Sequence, residues 1–192
     1  AMHSLPEMFR LDGKIALITG GARDLCYDMA DSLASAGANV IITSRTLASA
    51  QRAAESLRAK HQGETLELEL DQREHGRVAT AVAAAVEWKG RLDILVNNAG
   101  GGSSQRPALL FERDPADVVD LVQTNLIGVL HCCQEVGRIM AQQGSGKIIN
   151  IASMAGLVGR DRRMYEKNGM KGQPIDYAAA KAGVIGMTRD LA

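Results

Sequence analysis

Short runs of apolar, often β-branched residues alternate along the chain with longer stretches in which apolar positions recur every three to four residues. This alternation is the pattern of βαβ units built on a parallel sheet. The runs Lys14–Thr19, Asn39–Ser44, Thr65–Leu70, Leu92–Asn97 and Lys147–Ile151 read as strands. Their apolarity is nearly continuous rather than alternating, which predicts helices covering both faces. Helices are expected near residues 25–36, 46–61, 74–88 and 115–142, and a last one begins near Asp176. The alanine-rich stretch Val78–Val86 favours helix by propensity. Gly37, Gly63, Gly90 and either Gly144 or Gly146 stand where helices should stop. The expected fold is α/β, a doubly wound parallel sheet in three α/β/α layers, forming one domain over residues 1–192.

One long segment, from about Ala155 to Ile175, breaks the rhythm with Gly156, Gly159, Gly169, Gly172 and Pro174 and a basic cluster of Arg160, Arg162 and Arg163. Irregular loops of that length in compact domains are usually functional. The guanidinium groups there suit a carboxylate ligand or a solvated basic loop equally well. The chain reaches Ala192 within a helical pattern and without a stop signal, which predicts further C-terminal sequence.

Composition adds exclusions. Lys plus Arg equal Asp plus Glu at 22 each, so no net field points to nucleic acid or to an anionic membrane surface. No run approaches the ~18 apolar residues of a membrane span, and the opening Ala1-Met2-His3-Ser4 has no apolar core of signal-peptide type. Cys26, Cys132 and Cys133 lack metal-ligand spacing, so no metal site is expected, and they read as buried thiols of a cytoplasmic protein.

The chemistry lies toward the C-terminus. Tyr177 and Lys181 are spaced i, i+4, which puts a phenol and an ammonium on one helix face, where the cation favours the phenolate form that proton exchange with an alcohol oxygen uses. Alone, the spacing is more often that of an ordinary amphipathic helix. Ser153, however, follows the buried run Lys147–Ile151, and ligands of open α/β sheets bind at strand C-termini. Upstream, Asn97-Asn98-Ala99-Gly100 ends another strand, and Thr124-Asn125-Leu126 places an amide within a helical pattern. The ordered set Asn-Asn-Ala-Gly, Asn, Ser, Tyr-x-x-x-Lys, beginning from Leu11–Gly20, resembles the short-chain dehydrogenase/reductase family, in particular its 3-oxoacyl reductase and sugar-acid or polyol members.

The resemblance implies a Rossmann-like fold and a nicotinamide-dependent interconversion of a secondary alcohol and a ketone. Tyr177 would exchange a proton with the substrate oxygen, Lys181 would tune the tyrosine and hold the nicotinamide ribose, and Ser153 would hydrogen-bond the substrate oxygen. Asn125 would kink its helix and anchor a water leading to Lys181. Gly20, Arg23 and Leu25 in the first turn would meet the cofactor, with Asp71 and Gln72 against the adenine and Asn98 beside the adenosine ribose. After the second strand, Ser44-Arg45 stands where NAD users carry an acid, and Arg45, joined by Arg23, favours NADP(H) with NAD(H) still open. In the family the helix over 115–142 and the Tyr177 helix make subunit contacts, which implies a homodimer or homotetramer.

The chain departs from the family pattern in its first turn. Where the family has Thr-Gly-x-x-x-Gly-x-Gly, Thr19-Gly20-Gly21-Ala22-Arg23-Asp24-Leu25-Cys26 keeps the first glycine and replaces the other two with Asp24 and Cys26. A carboxylate at a helix N-terminus can fill the anion site itself, as a cap, or pair with Arg23 and leave that site open. The first outcome leads to a cofactor-impaired relative acting as a binding or scaffold protein, the second to an enzyme. The interval from Ser153 to Tyr177, 24 positions, is about twice that of many family members, as in some sugar-acid and polyol dehydrogenases.

Overall fold

A computed structural model describes residues 7–101, 108–170 and 172–192, so the opening Ala1-Met2-His3-Ser4 lies outside the described residues. The elements in order are β1 (Ile15–Ile18), α1 (Asp24–Ser35), β2 (Asn39–Ser44), α2 (Leu47–Lys60), β3 (Thr65–Glu69), α3 (His75–Lys89), β4 (Ile94–Asn97), α4 (Pro115–Val122), α5 (Gly128–Gln143), β5 (Lys147–Asn150), α6 (Arg163–Glu166) and α7 (Ile175–Leu191). The five strands form one sheet in the order β3-β2-β1-β4-β5. The pairs β1–β2, β1–β4 and β2–β3 are parallel. Strand order reverses at β1, the switch point of a Rossmann-like doubly wound sheet.

Residues divide into two compact units, 1–99 with 131–149 and 100–130 with 150–192. In the first, every residue of β1 and β4 is buried. Leu17, Ile41 and Leu95 pack with Val78, Ala81, Val82 and Ala85 of α3 and with Cys132, Val136 and Met140 of α5. That burial, at roughly 25 cal/mol per Å² of apolar surface, is what drives the sheet and its covering helices together. Asp93 closes the floor of the sheet, its Oδ2 accepting the Ile15 amide at 2.9 Å while Arg91 grips the carboxylate.

β2 has the expected limits; β1, β3 and β5 end one residue short of expectation, β1 also begins one residue late, and β4 begins two residues late and ends at Asn97 as expected. Hydropathy continues past the last ladder bond, so the pattern overruns the strand. Gly37, Gly90 and Gly144 have positive φ of 99°, 74° and 67° and end their helices as expected. Gly63 does not cap α2, which stops at Lys60 with extended His61 as its cap residue. The helix expected over 115–142 is broken by a π-turn at Gln123–Ile127. The segment 155–175 is not wholly irregular: a 3₁₀ turn covers Met154–Gly156, and α6 follows an Asp161 carboxylate that accepts the Arg163 amide at 3.1 Å.

Candidate active site

In the first unit, hydroxyls near the ends of β1 and β2 shape the loops. Thr19 Oγ1 accepts the amides of Asn98 at 3.1 Å and Ala99 at 3.0 Å. Thr43 Oγ1 accepts the Gly20 amide and donates to Ile18 O, both at 3.3 Å. Gly20 has φ +67°, and a Cβ there would lie 3.0 Å from Ala99 Cβ, so both conformation and space call for glycine. Neither threonine was singled out from the sequence; a hydroxyl at the end of each of two parallel strands is the signal that marks them.

Asp24 has φ +51°, and among the described residues it is the one non-glycine in the left-handed region. The backbone therefore keeps the shape a glycine supplies, at a cost on the order of 1 kcal/mol. The carboxylate does not cap α1: Arg23 occupies the cap position in extended conformation, with no side-chain cap hydrogen bond. Instead Arg23 Nε lies 3.7 Å from Asp24 Oδ2, both side chains more than four-fifths exposed. Of the two arrangements open to this turn, the structure adopts the pairing, and the first turn of α1, beside exposed Leu25, has no hydrogen bond from a capping side chain among the described residues.

Cys26 Sγ accepts a 2.7 Å hydrogen bond from Asn98 Nδ2. Burial pushes this thiol above its ordinary value, the Asn98 bond partly offsets that, and the Asp24 charge adds to it, so it is no thiolate at neutral pH. Arg73 grips Asp71, with Nε at 3.0 Å and Nη2 at 2.5 Å, and holds its carboxyl below the usual range, helped by the charge of exposed Arg45. Gln72 is buried and donates from Nε2 to Ala99 O at 3.1 Å, tying the loop after β3 to the loop after β4.

In the second unit, the π-turn presents Asn125 inward, 1% exposed. Its Nδ2 donates to Leu121 O at 3.0 Å and to Gly101 O at 3.2 Å, and its Oδ1 accepts the Gly101 amide at 2.8 Å. A side-chain amide that takes up an i−4 carbonyl and a neighbouring loop accounts for a widened turn there. Gly100 and Gly101 have φ of 139° and 146°, and a Cβ on Gly100 would meet Asn125 Oδ1 at 2.4 Å.

Lys181 is 5% exposed, and its Nζ donates to Ile151 O at 2.6 Å, two residues before Ser153. The same Nζ is 5.9 Å from the ring centroid of half-buried Tyr177. Ser153 is half-buried and caps the 3₁₀ turn, its Oγ accepting the Ala155 amide at 3.2 Å. A Cβ on Gly156 would lie 2.7 Å from Ala182 N and 2.8 Å from Lys181 C, so this turn rests directly on the backbone of α7. The unit thus places Tyr177 and Lys181 one helical turn apart and ties Lys181 to the segment leading into Ser153, while Asn125 is held on the neighbouring π-turn.

Arg113 and Asp176 went unmarked in the sequence. They form a buried bidentate pair, Nε to Oδ1 at 3.0 Å and Nη2 to Oδ2 at 2.6 Å, with side chains 2% and 3% exposed. An acid directly before the tyrosine is the only sequence sign of it. Of the loop arginines, Arg163 is taken by Asp161, whereas Arg160 and Arg162 donate to the carbonyls of Pro174 and Ala108. Arg163 is therefore no free carboxylate receptor, because its fork is already matched by a local acid.

Residues 14–192 match the family described as short chain dehydrogenase. The chain belongs to the short-chain dehydrogenase/reductase family. It is 32% identical over 185 residues to the 3-oxoacyl-[acyl-carrier-protein] reductase of Synechocystis sp., covering 96% of this chain and 69% of that protein. To the galactitol 2-dehydrogenase of Rhizobium johnstonii it is 34% identical over 191 residues, covering 98% and 68%. A variant of actinorhodin polyketide ketoreductase, solved with NADPH, superposes with a TM-score of 0.81 at 30% identity, covering 93% and 63%. The chain spans about two thirds of the length of these proteins. Members of this family are oxidoreductases that act on CH–OH groups with NAD(P)(H), and the structure accords with that membership in its Rossmann-like sheet. Among the described residues no helix is long and apolar enough to cross a membrane, and no cluster of His, Cys, Asp and Glu could hold a metal ion.

Proposed function

We propose that this family member is an NADP(H)-preferring oxidoreductase that interconverts a secondary alcohol and a ketone on a small molecule through Ser153, Tyr177 and Lys181. The observation that carries the reading is the placement of Lys181 Nζ, 5.9 Å from the Tyr177 ring and bonded to Ile151 O beside Ser153. NADPH, when bound, supplies the hydride. The Ser153 hydroxyl donates to the substrate oxygen, Tyr177 gives its phenolic proton to that oxygen during reduction and takes it back during oxidation, and Lys181 favours the phenolate left behind.

The first turn fits a dinucleotide. Its left-handed backbone at Asp24 and its α1 terminus without a side-chain cap leave amides for a pyrophosphate. Exposed Arg23 and Arg45 suit a 2′-phosphate, and Asp71, Gln72 and Asn98 would line the adenosine side. The family resemblance supports a homodimer or homotetramer, and three free cysteines suit a reducing, cytoplasmic setting. The rival reading, a cofactor-impaired scaffold, rests on the charge of Asp24.

The test is turnover by the full-length protein of ethyl acetoacetate with NADPH, chosen after the 3-oxoacyl reductase relative, and of galactitol with NADP+ or NAD+. Tyr177→Phe should lower the turnover number by about 10²–10⁴-fold, the span attributed to a general acid. No binding of either NADPH or NADH at millimolar concentration would overturn the enzyme reading in favour of the scaffold.

A further inference from the structure

The N-terminus of α7 is held in an unusual way. Pro174 fills its cap position, offers no amide and makes no side-chain cap. The first turn of α7 is anchored instead by Asp176, whose buried carboxylate accepts from Nε and Nη2 of Arg113, with Asp117 3.7 Å from Arg113 Nη1. Arg113 directly precedes Asp114, whose carboxylate caps α4 through the Ala116 amide at 2.8 Å. α4 runs without a break into the π-turn that carries Asn125.

Two residues beyond Lys181, Gly183 lies so close to the same π-turn that a Cβ there would meet Leu126 Cδ2 at 2.8 Å. The helix of Tyr177 and Lys181 and the helix of Asn125 are therefore joined by a close apolar approach at Gly183 and by an ionic clamp at Asp176. The other anchors of α7, at Lys181, Ala182 and Gly183, all lie beyond its first turn, so without the clamp that turn can swing about them, and Tyr177, next to Asp176, is among the residues that would move. Displacements near 1 Å at a reacting group can cost about 10²-fold in rate.

We propose that Arg113 and Asp176 are positioning residues for the reaction: their buried bidentate pair fixes the pivot of α7 and with it the place of the Tyr177 hydroxyl relative to Ser153 and Asn125. The inference rests on the Ser153, Tyr177, Lys181 reading above. A lysine at 113 keeps the charge but lacks the fork that grips both carboxylate oxygens, and a pair of apolar residues keeps the volume while removing the charges that would otherwise be left buried and unpaired.

The experiment compares wild type, Arg113→Lys, the double variant Arg113→Met with Asp176→Leu, and Tyr177→Phe in the full-length protein, by thermal unfolding, NADPH fluorescence titration, and kcat and KM for ethyl acetoacetate. Expected is a fall in kcat of about 10- to 100-fold in both clamp variants, with NADPH affinity within about twofold of wild type and KM little changed. The double variant should melt close to wild type, so its loss of rate is not a loss of fold. A clamp that only holds the fold would let kcat return with stability in the double variant, and that result overturns the proposal. If Tyr177→Phe retains full turnover, the function reading itself fails. If Tyr177→Phe is inactive while the folded clamp variants run at wild-type kcat, only the positioning inference fails.

Discussion

Asn98 Nδ2 donates to Cys26 Sγ at 2.7 Å, so the thiol that replaces the family's third glycine has engaged the amide expected beside the adenosine ribose. Cys26→Gly removes that acceptor and opens space where helix and strand approach. NADPH should bind more tightly to the variant, by a few-fold, in a fluorescence titration. Asp24→Gly should tighten binding by roughly fivefold at low ionic strength, the order of one Coulomb contact in water, and this gain should shrink as salt is raised. The Cys26→Gly gain should not. Weaker NADPH binding by Asp24→Gly would show that the carboxylate helps rather than hinders the cofactor.

Arg45 stands exposed after β2 and contributes a favourable charge to Asp71. Arg45→Ala should weaken NADPH by about tenfold, within the range of a lost charge-assisted bond, and NADH by much less. Paired titrations with the two cofactors decide the point, and equal losses would refute the preference for the 2′-phosphate.

Asn125 and Gly100 should behave as one unit. Asn125→Ala deletes three hydrogen bonds and strands the Gly101 amide, for an expected loss of about 2–3 kcal/mol in denaturant unfolding. Gly100→Ala drives a Cβ toward Asn125 Oδ1 at a backbone φ of 139°. In the double variant the clash disappears but the strained φ remains, so the double variant should be less unstable than the sum of the singles. Strict additivity in the cycle would contradict the contact.

Asp71 sets a limit on acid stability. Arg73 holds its carboxyl below the ordinary value, so the folded state binds fewer protons than the unfolded chain as the pH drops. The associated stability is fully present above the unfolded value of about 3.9 and is lost as pH falls through the lower folded value. Asp71→Asn should therefore melt below wild type at pH 6 and converge on it at the acid end of a pH series of thermal scans. A constant gap across the series would sink the assignment.

Cys132 is pushed up to about 12 by burial, with a small addition from Cys133. Between the ordinary thiol value and about 12 the unfolded chain ionises while the folded chain does not, so stability declines as pH rises through that window. At neutral pH, alkylation of Cys132 should proceed only through unfolding and should accelerate with denaturant in step with the loss of secondary structure. Fast labelling of the native protein would show an opening of the core at α5.

The parts of this protein that could be read from the sequence are those encoded locally. The apolar runs located all five strands, and β2 was read with its true limits, but the expected burial on both faces holds for β1 and β4 and not for β3, which is only partly buried, or β5, where Lys147 and Ile149 are exposed. Asn125 was recognised as a disturbance because an amide inside a helical pattern is a local anomaly, and the π-turn is its result. Asp24 stood out by replacing a glycine, yet only the backbone angle distinguishes a carboxylate that caps from one that turns to Arg23. The Arg113–Asp176 pair was hidden because 63 residues separate its halves and each reads alone as a solvated charge. Likewise Asp161 and Arg163 looked like a general basic loop until the short helix they start was seen.

Gly156 gives the long interval before Tyr177 a different meaning. Its backbone sits against Lys181 and Ala182 too closely for any side chain, so the path from Ser153 is already secured to the helix of Lys181 four residues after β5 and its first two followers have ended. Everything from Leu157 to Pro174 is then an excursion that leaves from one fixed point and returns to another. Residues can be added to or removed from such an excursion at little entropic cost, and the distance between the hydroxyl of Ser153 and the ammonium of Lys181 need not register the change. On the function proposed above, substrate preference can vary in this stretch while Ser153 and Lys181 stay in place.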